Sequence, residues 1–192
     1  MMQVKFQLKF KAAALLAGVL LLNASGASAE ESFAGWLVNF QRAKEVTPVT
    51  DKQYRSECSD CHFAYQPGLL PEKSWRKLLN AEALSDHFGV NAELDKDTLQ
   101  AVLDYAVENS ADKSWHKRSR KIARAAAEGE APLRITEVRY IKRKHQDIPE
   151  NMVKGNKDVK SLSFCDKCHT QAAKGVFDAD TVSIPNYPGW ED

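Results

Sequence analysis

Apolar residues recur along the chain at helical spacing. Phe33, Trp36, Leu37 and Phe40 fall at i, i+3, i+4 and i+7, and Leu99, Val102, Leu103 and Ala106 repeat the pattern behind Asp97, a plausible N-cap. Both stretches predict amphipathic helices. Between them Ser74 can cap a helix that carries Trp75, Leu78, Leu79 and Leu84 and ends near His87-Phe88-Gly89, where Gly89 suits a C-terminal cap. Farther on, Thr136 can open a helix on which Val138, Ile141, His145 and Ile148 follow steps of three and four until Pro149 stops it. The strict alternation of a half-buried strand is hard to find. The fold class predicted is therefore mainly α.

Breakers set the joints. Residues 66–71, QPGLLP, hold two prolines and a glycine and read as a loop. After Asn109 the chain turns polar, then strongly basic, and closes on Gly129 and Pro132; this stretch, partly helical, reads as a connection between two small domains. The expected division is residues 30–113 and residues 114–192, the second beginning with the basic connection. Residues 176–190 contain two prolines and should be mostly loop.

The first 29 residues read differently. Lys5, Lys9 and Lys11 form a positive start, residues 12–22 are an apolar run, and Ala27-Ser28-Ala29 is a small-residue cleavage site, the pattern of a secretory signal peptide. The run is about half the roughly 20 apolar residues that span a bilayer. The mature chain is expected to be exported to the periplasm, soluble and not membrane-spanning. Its removal takes three lysines and no acid, which moves the formal charge from +1 to −2. The charge is uneven: residues 30–113 carry 15 acids and 9 bases, residues 114–192 carry 11 acids and 15 bases. A basic stretch in an exported, near-neutral protein reads as a solvated or docking surface rather than a nucleic-acid site.

All 4 cysteines lie in two C-x-x-C pairs, and a histidine follows each pair at once: Cys58, Cys61, His62 and Cys165, Cys168, His169. Disulfides are allowed in an oxidising compartment but give no reason for the histidines. A Cys₄ zinc site would leave both histidines idle. Covalent c-type haem uses every position, with two thioether bonds fixing the porphyrin edge and the next imidazole reaching the iron from one face. Two haem c groups in about 163 residues leave about 80 residues each, a size at which a domain is marginal without a cross-link or metal. The porphyrins are then part of the core.

The other face of each iron decides its chemistry. Outside the first 29 residues the one methionine is Met152, in a polar stretch after Pro149, and the histidines left over are His87, His116 and His145. His145 shares the apolar stripe of Val138, Ile141 and Ile148, and His87 stands at a helix end beside Phe88 and Gly89. His116 sits among Lys117, Arg118, Arg120 and Lys121, where a solvated basic face is the simpler reading. His62 is best completed by His87 and His169 by His145, with crossing of ligands between the halves left open. Two bis-histidine, low-spin haems leave no site for oxygen or peroxide, so the expected work is outer-sphere electron transfer by a carrier, not an enzyme. The competing readings are a small dihaem peroxidase or reductase with one five-coordinate haem, should His87 be a helix cap, and a haem-based sensor.

The blocks ECSDCHFAYQPGLLPEKSWRKLL, DHFG at residues 86–89, RITEVRYIKRKH ending at His145, FCDKCH, and Ile184-Pro185, in that order, resemble the bacterial dihaem cytochrome c family. The resemblance implies bis-histidine ligation with His87 and His145 as the distal ligands. It also implies a first domain resembling a small class I cytochrome c, and redox partners: a membrane electron donor and a small oxygen-binding monohaem cytochrome of the sphaeroides-haem-protein type.

Overall fold

The computed structural model describes residues 44–127 and 131–190. The signal-like segment and the helix expected around Phe33 to Phe40 lie outside the described residues. Seven α-helices are described: α1 (Lys52–Cys58), α2 (Glu72–Leu78), α3 (Ala81–Ser85), α4 (Lys96–Glu108), α5 (Lys117–Ala127), α6 (Arg139–Lys144) and α7 (Glu150–Val153). Short 3₁₀ turns and two isolated bridges, His87 with Val90 and His169 with Val182, complete the described residues, which contain no strand. The fold is mainly α, and among the described residues no helix is long and apolar enough to cross a membrane.

The longest helix starts two residues before the position its apolar pattern suggests. Asp95, not Asp97, is the N-cap of α4, and its carboxylate accepts from the N–H groups of Asp97 and Thr98 at 3.1 and 3.0 Å. Val102 and Ala106 from the expected stripe are fully buried, and α4 packs on α1 and α2. The single helix expected from Ser74 to His87 is two. Ser74 lies inside α2, fully buried, and Pro71 takes the N-cap position, its fixed φ suiting a helix entry. Leu79 then leaves helical geometry and Asn80 caps α3 by accepting from the Ala83 N–H at 3.0 Å. A competing cap inside an apolar period is what divides the helix.

A similar shortening occurs around His145. Thr136 belongs to a 3₁₀ turn, Ile135–Glu137, and α6 begins at Arg139 behind Val138. It ends at Lys144, so that His145 is its C-cap rather than an interior residue. Pro149 therefore does not end α6, which has stopped at Lys144; it is the N-cap of α7.

One apolar cluster runs through Val46, Tyr54, Leu70, Trp75, Val102, Ile122, Val138 and Ala172, and so includes residues before and after the basic stretch. Several polar contacts tie the same parts together. The Gly175 carbonyl accepts from the N–H groups of Glu45 and Val46 at 2.9 and 3.2 Å, and buried Gln66 donates to the Ala172 carbonyl. Gly175 has φ +76°, and a Cβ there would lie 2.1 Å from the Val46 carbonyl oxygen, so a side chain is barred by both conformation and space. The described residues fall in one compact unit, Arg42–Asp192.

Candidate functional site

Cys58 is the last residue of α1, and the bends after it present exposed Cys61 and half-buried His62. The His62 Nδ1 lies 2.8 Å from the Phe63 carbonyl oxygen, so the hydrogen sits on Nδ1 and the Nε2 lone pair is left for a metal. Tyr65 stacks on the same ring, centroid to centroid 4.7 Å and 28° between planes. Facing His62 is His87, ring centres 6.4 Å apart and planes 32° apart.

A tight turn holds His87 there. Its N–H donates to the Val90 carbonyl at 2.8 Å, and Val90 returns a bond to the His87 carbonyl at 3.3 Å. Between them Phe88 and Gly89 have φ +55° and +95°, the left-handed pair of a type I′ turn. The Asp86 carboxylate accepts from the Gly89 N–H at 2.8 Å. Gly89 thus works at the turn corner, not as a helix cap. The Arg134 guanidinium lies 3.9 Å from the centre of the Phe88 ring. Burial, helped by the His62 ring and Arg134, lowers the His87 pKa below the ordinary imidazole value and keeps the ring neutral near pH 7.

The second set forms from α6 and the 3₁₀ turn Cys165–Lys167. His145, at the α6 C-terminus, has its Nδ1 2.8 Å from the Ile141 carbonyl oxygen, which again frees Nε2. His169 follows the turn; its N–H donates to the Cys165 carbonyl at 2.8 Å, and its backbone bridges to Val182. The two rings are 6.0 Å apart with planes at 74°. Phe177 stands edge-on to His169 at 5.2 Å. Burial, with His145 and Arg118 nearby, pushes the His169 pKa down to about 4. Its Nδ1 is buried without a hydrogen-bond partner. Ile141, His145, Ile148, Cys165, Cys168 and His169 line one cavity of about 910 Å³, called the second cavity after this second site, at the upper end of the range of about 300–1,000 Å³ that holds cofactor-sized molecules.

These residues fit an iron porphyrin on geometry. A metal held between two imidazole nitrogens, with bonds of about 2.0 Å and about 1.1 Å more from each nitrogen to its ring centre, separates the ring centres by roughly 6.2 Å. The two observed separations, 6.4 and 6.0 Å, bracket that value. The cysteines suit thioether formation better than thiolate ligation. Burial raises the thiol pKa of Cys58 and Cys165 to about 12 each, with Glu57 and Asp166 adding to it, and raises that of Cys168. No two of the four form a disulfide, and among the described residues no three His, Cys, Asp or Glu side chains gather into a metal-ligating group. A shared Cys₄ zinc site therefore has no geometric basis here.

The remaining candidates are engaged differently. His116 bonds through Nδ1 to the Lys44 carbonyl at 2.9 Å. Met152 is half-buried and lines the second cavity as packing.

Four residues near the sites carried no recognisable signal in the sequence. Arg118, in the stretch read as a solvated basic face, points inward: it bonds both Glu45 carboxylate oxygens at 2.8 and 2.7 Å and the Phe177 carbonyl at 3.1 Å, and lines the second cavity. Glu45 also accepts from the Phe177 N–H at 3.0 Å, so the pair fixes the residue that packs on His169. Tyr65 stacks on His62 and donates its hydroxyl hydrogen to the Ser163 carbonyl, two residues before Cys165. Buried Ser119, Ile122 and Ala126 show helical spacing that could have placed Arg118's helix against the core; nothing local tells that Arg118 turns toward Glu45, 73 residues away.

A family model described as dihaem cytochrome c matches residues 54–177. Among solved structures, the chain is similar to a dihaem c-type cytochrome from Shewanella baltica, with 36% identity over 73% of this chain and 97% of that one and a TM-score of 0.59. It is similar to a dihaem cytochrome c from Rhodobacter sphaeroides, with 38% identity over 69% of this chain and 100% of that one and a TM-score of 0.60. A second structure from Rhodobacter sphaeroides gives 37% identity, coverage of 68% and 99%, and a TM-score of 0.54. No curated protein matches.

Proposed function

Because the chain belongs to the dihaem cytochrome c family, and so carries two covalently bound haem c groups, we propose that it is a periplasmic electron carrier whose two irons are each closed by a pair of histidines. When bound, each haem supplies an iron that accepts and returns one electron. Cys58 and Cys61 would hold the first haem by thioether bonds, with His62 and His87 on its two faces. Cys165 and Cys168 would hold the second, with His169 and His145. The observation that carries this reading is the pairing of the imidazole rings, with centres 6.4 Å apart for His62 and His87 and 6.0 Å apart for His145 and His169.

The chain's own residues set the character of the sites. Backbone carbonyls at Phe63 and Ile141 hold His62 and His145 in the tautomer that offers Nε2. Two imidazoles in place of a methionine thioether favour the oxidised iron and a low potential. Ile135, Ile141, Ile148 and Phe177 give the second site an apolar lining, and with both faces ligated the chemistry would be confined to electron exchange. Support for the periplasm comes from the signal pattern at residues 1–29 and from the general rule that c-type haem is attached outside the cytoplasm. The acceptor belongs to the same proposal: a small oxygen-binding monohaem cytochrome, fed by a membrane donor.

Absorption spectroscopy tests it. The oxidised protein should be fully low-spin without a methionine–iron band, and carbon monoxide should leave the Soret band of the reduced protein in place. A high-spin fraction, or a shift with carbon monoxide, would instead favour an open iron and the peroxidase or reductase class.

A further inference from the structure

Helix α5 has two unlike faces. Ser119, Ile122 and Ala126 are buried in the core, and Arg118 turns inward to Glu45 and the second cavity. On the other side Lys117, Arg120, Lys121 and Arg124 are exposed. Among the described residues no carboxylate pairs with any of these four, and Lys121 contacts the Tyr140 ring alone, at 5.7 Å. Cations three and four positions apart on a helix repel each other. The first turn holds no acid, so two cations also sit at the positive end of the helix dipole. The arrangement weakens the helix, and among the described residues the Lys121 contact with the Tyr140 ring is what it returns to the fold. Just before it stands Trp115, 87% exposed, a residue type that carries binding energy at protein interfaces together with arginine.

We propose that Trp115 and the outer face of α5 form the surface on which a small acidic redox protein docks to exchange electrons with the second site. The proposal rests on the electron-carrier reading and adds the place and charge of the contact. Two observations favour a protein of this kind. Arg118 of α5 reaches the lining of the second cavity, so a partner on the outer side of the helix stands about one helix diameter, roughly 10–12 Å, from that cavity. The apolar side of α5 is already used by the core, so the helix cannot roll that side into a lipid surface as interfacial helices do. An electron leaves the reduced carrier and enters the oxidised partner, or the reverse, with no bond made or broken.

The test uses the haem-loaded protein and, as probes, an acidic and a basic monohaem cytochrome of similar potential, with exchange followed by stopped-flow at low and high salt. Reversing the face with Lys117→Glu, Arg120→Glu and Arg124→Glu should slow exchange with the acidic probe about tenfold or more at low salt, speed it with the basic probe, and have little effect at high salt. Trp115→Ala should weaken binding of the acidic probe measured by NMR titration, and Trp115→Phe should restore part of it. The milder Lys117→Gln with Arg120→Gln should move both rates the same way to a smaller extent, and the unchanged haem spectrum of each variant shows that it is folded. If native protein exchanges electrons with neither probe, the carrier reading falls and this surface with it. If exchange with the acidic probe persists at the same rate in the variants, the surface alone is wrong. Loss of binding to phosphatidylglycerol vesicles in the variants, with acidic-probe rates unaltered, would assign the face to a membrane and overturn the proposal.

Discussion

The ring planes of His145 and His169 cross at 74° with their centres 6.0 Å apart, whereas those of His62 and His87 lie within 32° of parallel at 6.4 Å. The two pairs therefore offer a metal two different electronic surroundings within one chain. Crossed imidazole planes leave the iron d-orbitals nearly degenerate, while parallel planes split them. Frozen-solution EPR of the oxidised protein should show two low-spin species, one rhombic and one strongly anisotropic with a large maximal g value. A single rhombic species would contradict the ligand geometry at the second site.

Removing one distal ligand should open one iron only. His145→Ala is expected to give a high-spin component and a carbon monoxide shift of about half the Soret intensity, with the first site unaltered; effects at well-separated sites are largely independent. His87→Ala should do the same at the first site. His116→Ala should leave the spectrum as it is, because that ring bonds the Lys44 carbonyl. A high-spin signal in His116→Ala would overturn the assignment.

Breaking the Arg118 and Glu45 pair should cost stability. Their side chains are 14% and 19% exposed, and Glu45 also bonds the Phe177 N–H. Glu45→Gln leaves a mostly buried guanidinium without its carboxylate and should lower unfolding stability by about 2–4 kcal/mol in denaturant titrations. The expected secondary effect is a looser Phe177 and a changed EPR signal at the second site. A stability equal to that of the native protein would show that water compensates the charge.

Gly175→Ala should be among the most damaging single changes outside the sites. The new Cβ would lie 2.1 Å from the Val46 carbonyl oxygen at φ +76°. Conformational strain and overpacking together should cost at least about 2 kcal/mol, read as a lowered thermal midpoint. Gly89→Ala has open space around its Cβ and should show the strain of its φ alone, so its effect should be smaller.

Apoprotein made without haem attachment should not hold this fold. Without the porphyrin, the apolar lining of the cavity of about 910 Å³, among it Ile135, Ile141, Ile148 and Phe164, is left facing water, and a fold of this size loses a large part of its core. Circular dichroism of the apoprotein should show lost helix and no cooperative melt. A stable, helical apoprotein would remove the porphyrins from the core.

The sequence by itself determined what depends on neighbours in the chain. Two C-x-x-C-H motifs define their chemistry within five residues, and the scarcity of methionine turns attention to the histidines opposite them. The apolar period placed Val102 and Ala106 in the core. Boundaries were less legible, because Asn80 and Asp95 compete for helix ends through side-chain bonds that a hydrophobic period does not register. Only the tertiary structure decided which rings face each other, at what angle, and that Arg118 leaves a basic face to meet Glu45. These relations join residues 24 to 73 positions apart, and they are set by how the helices pack around the two sites, where a few degrees of turn geometry at Phe88 or His145 redirects a whole side chain.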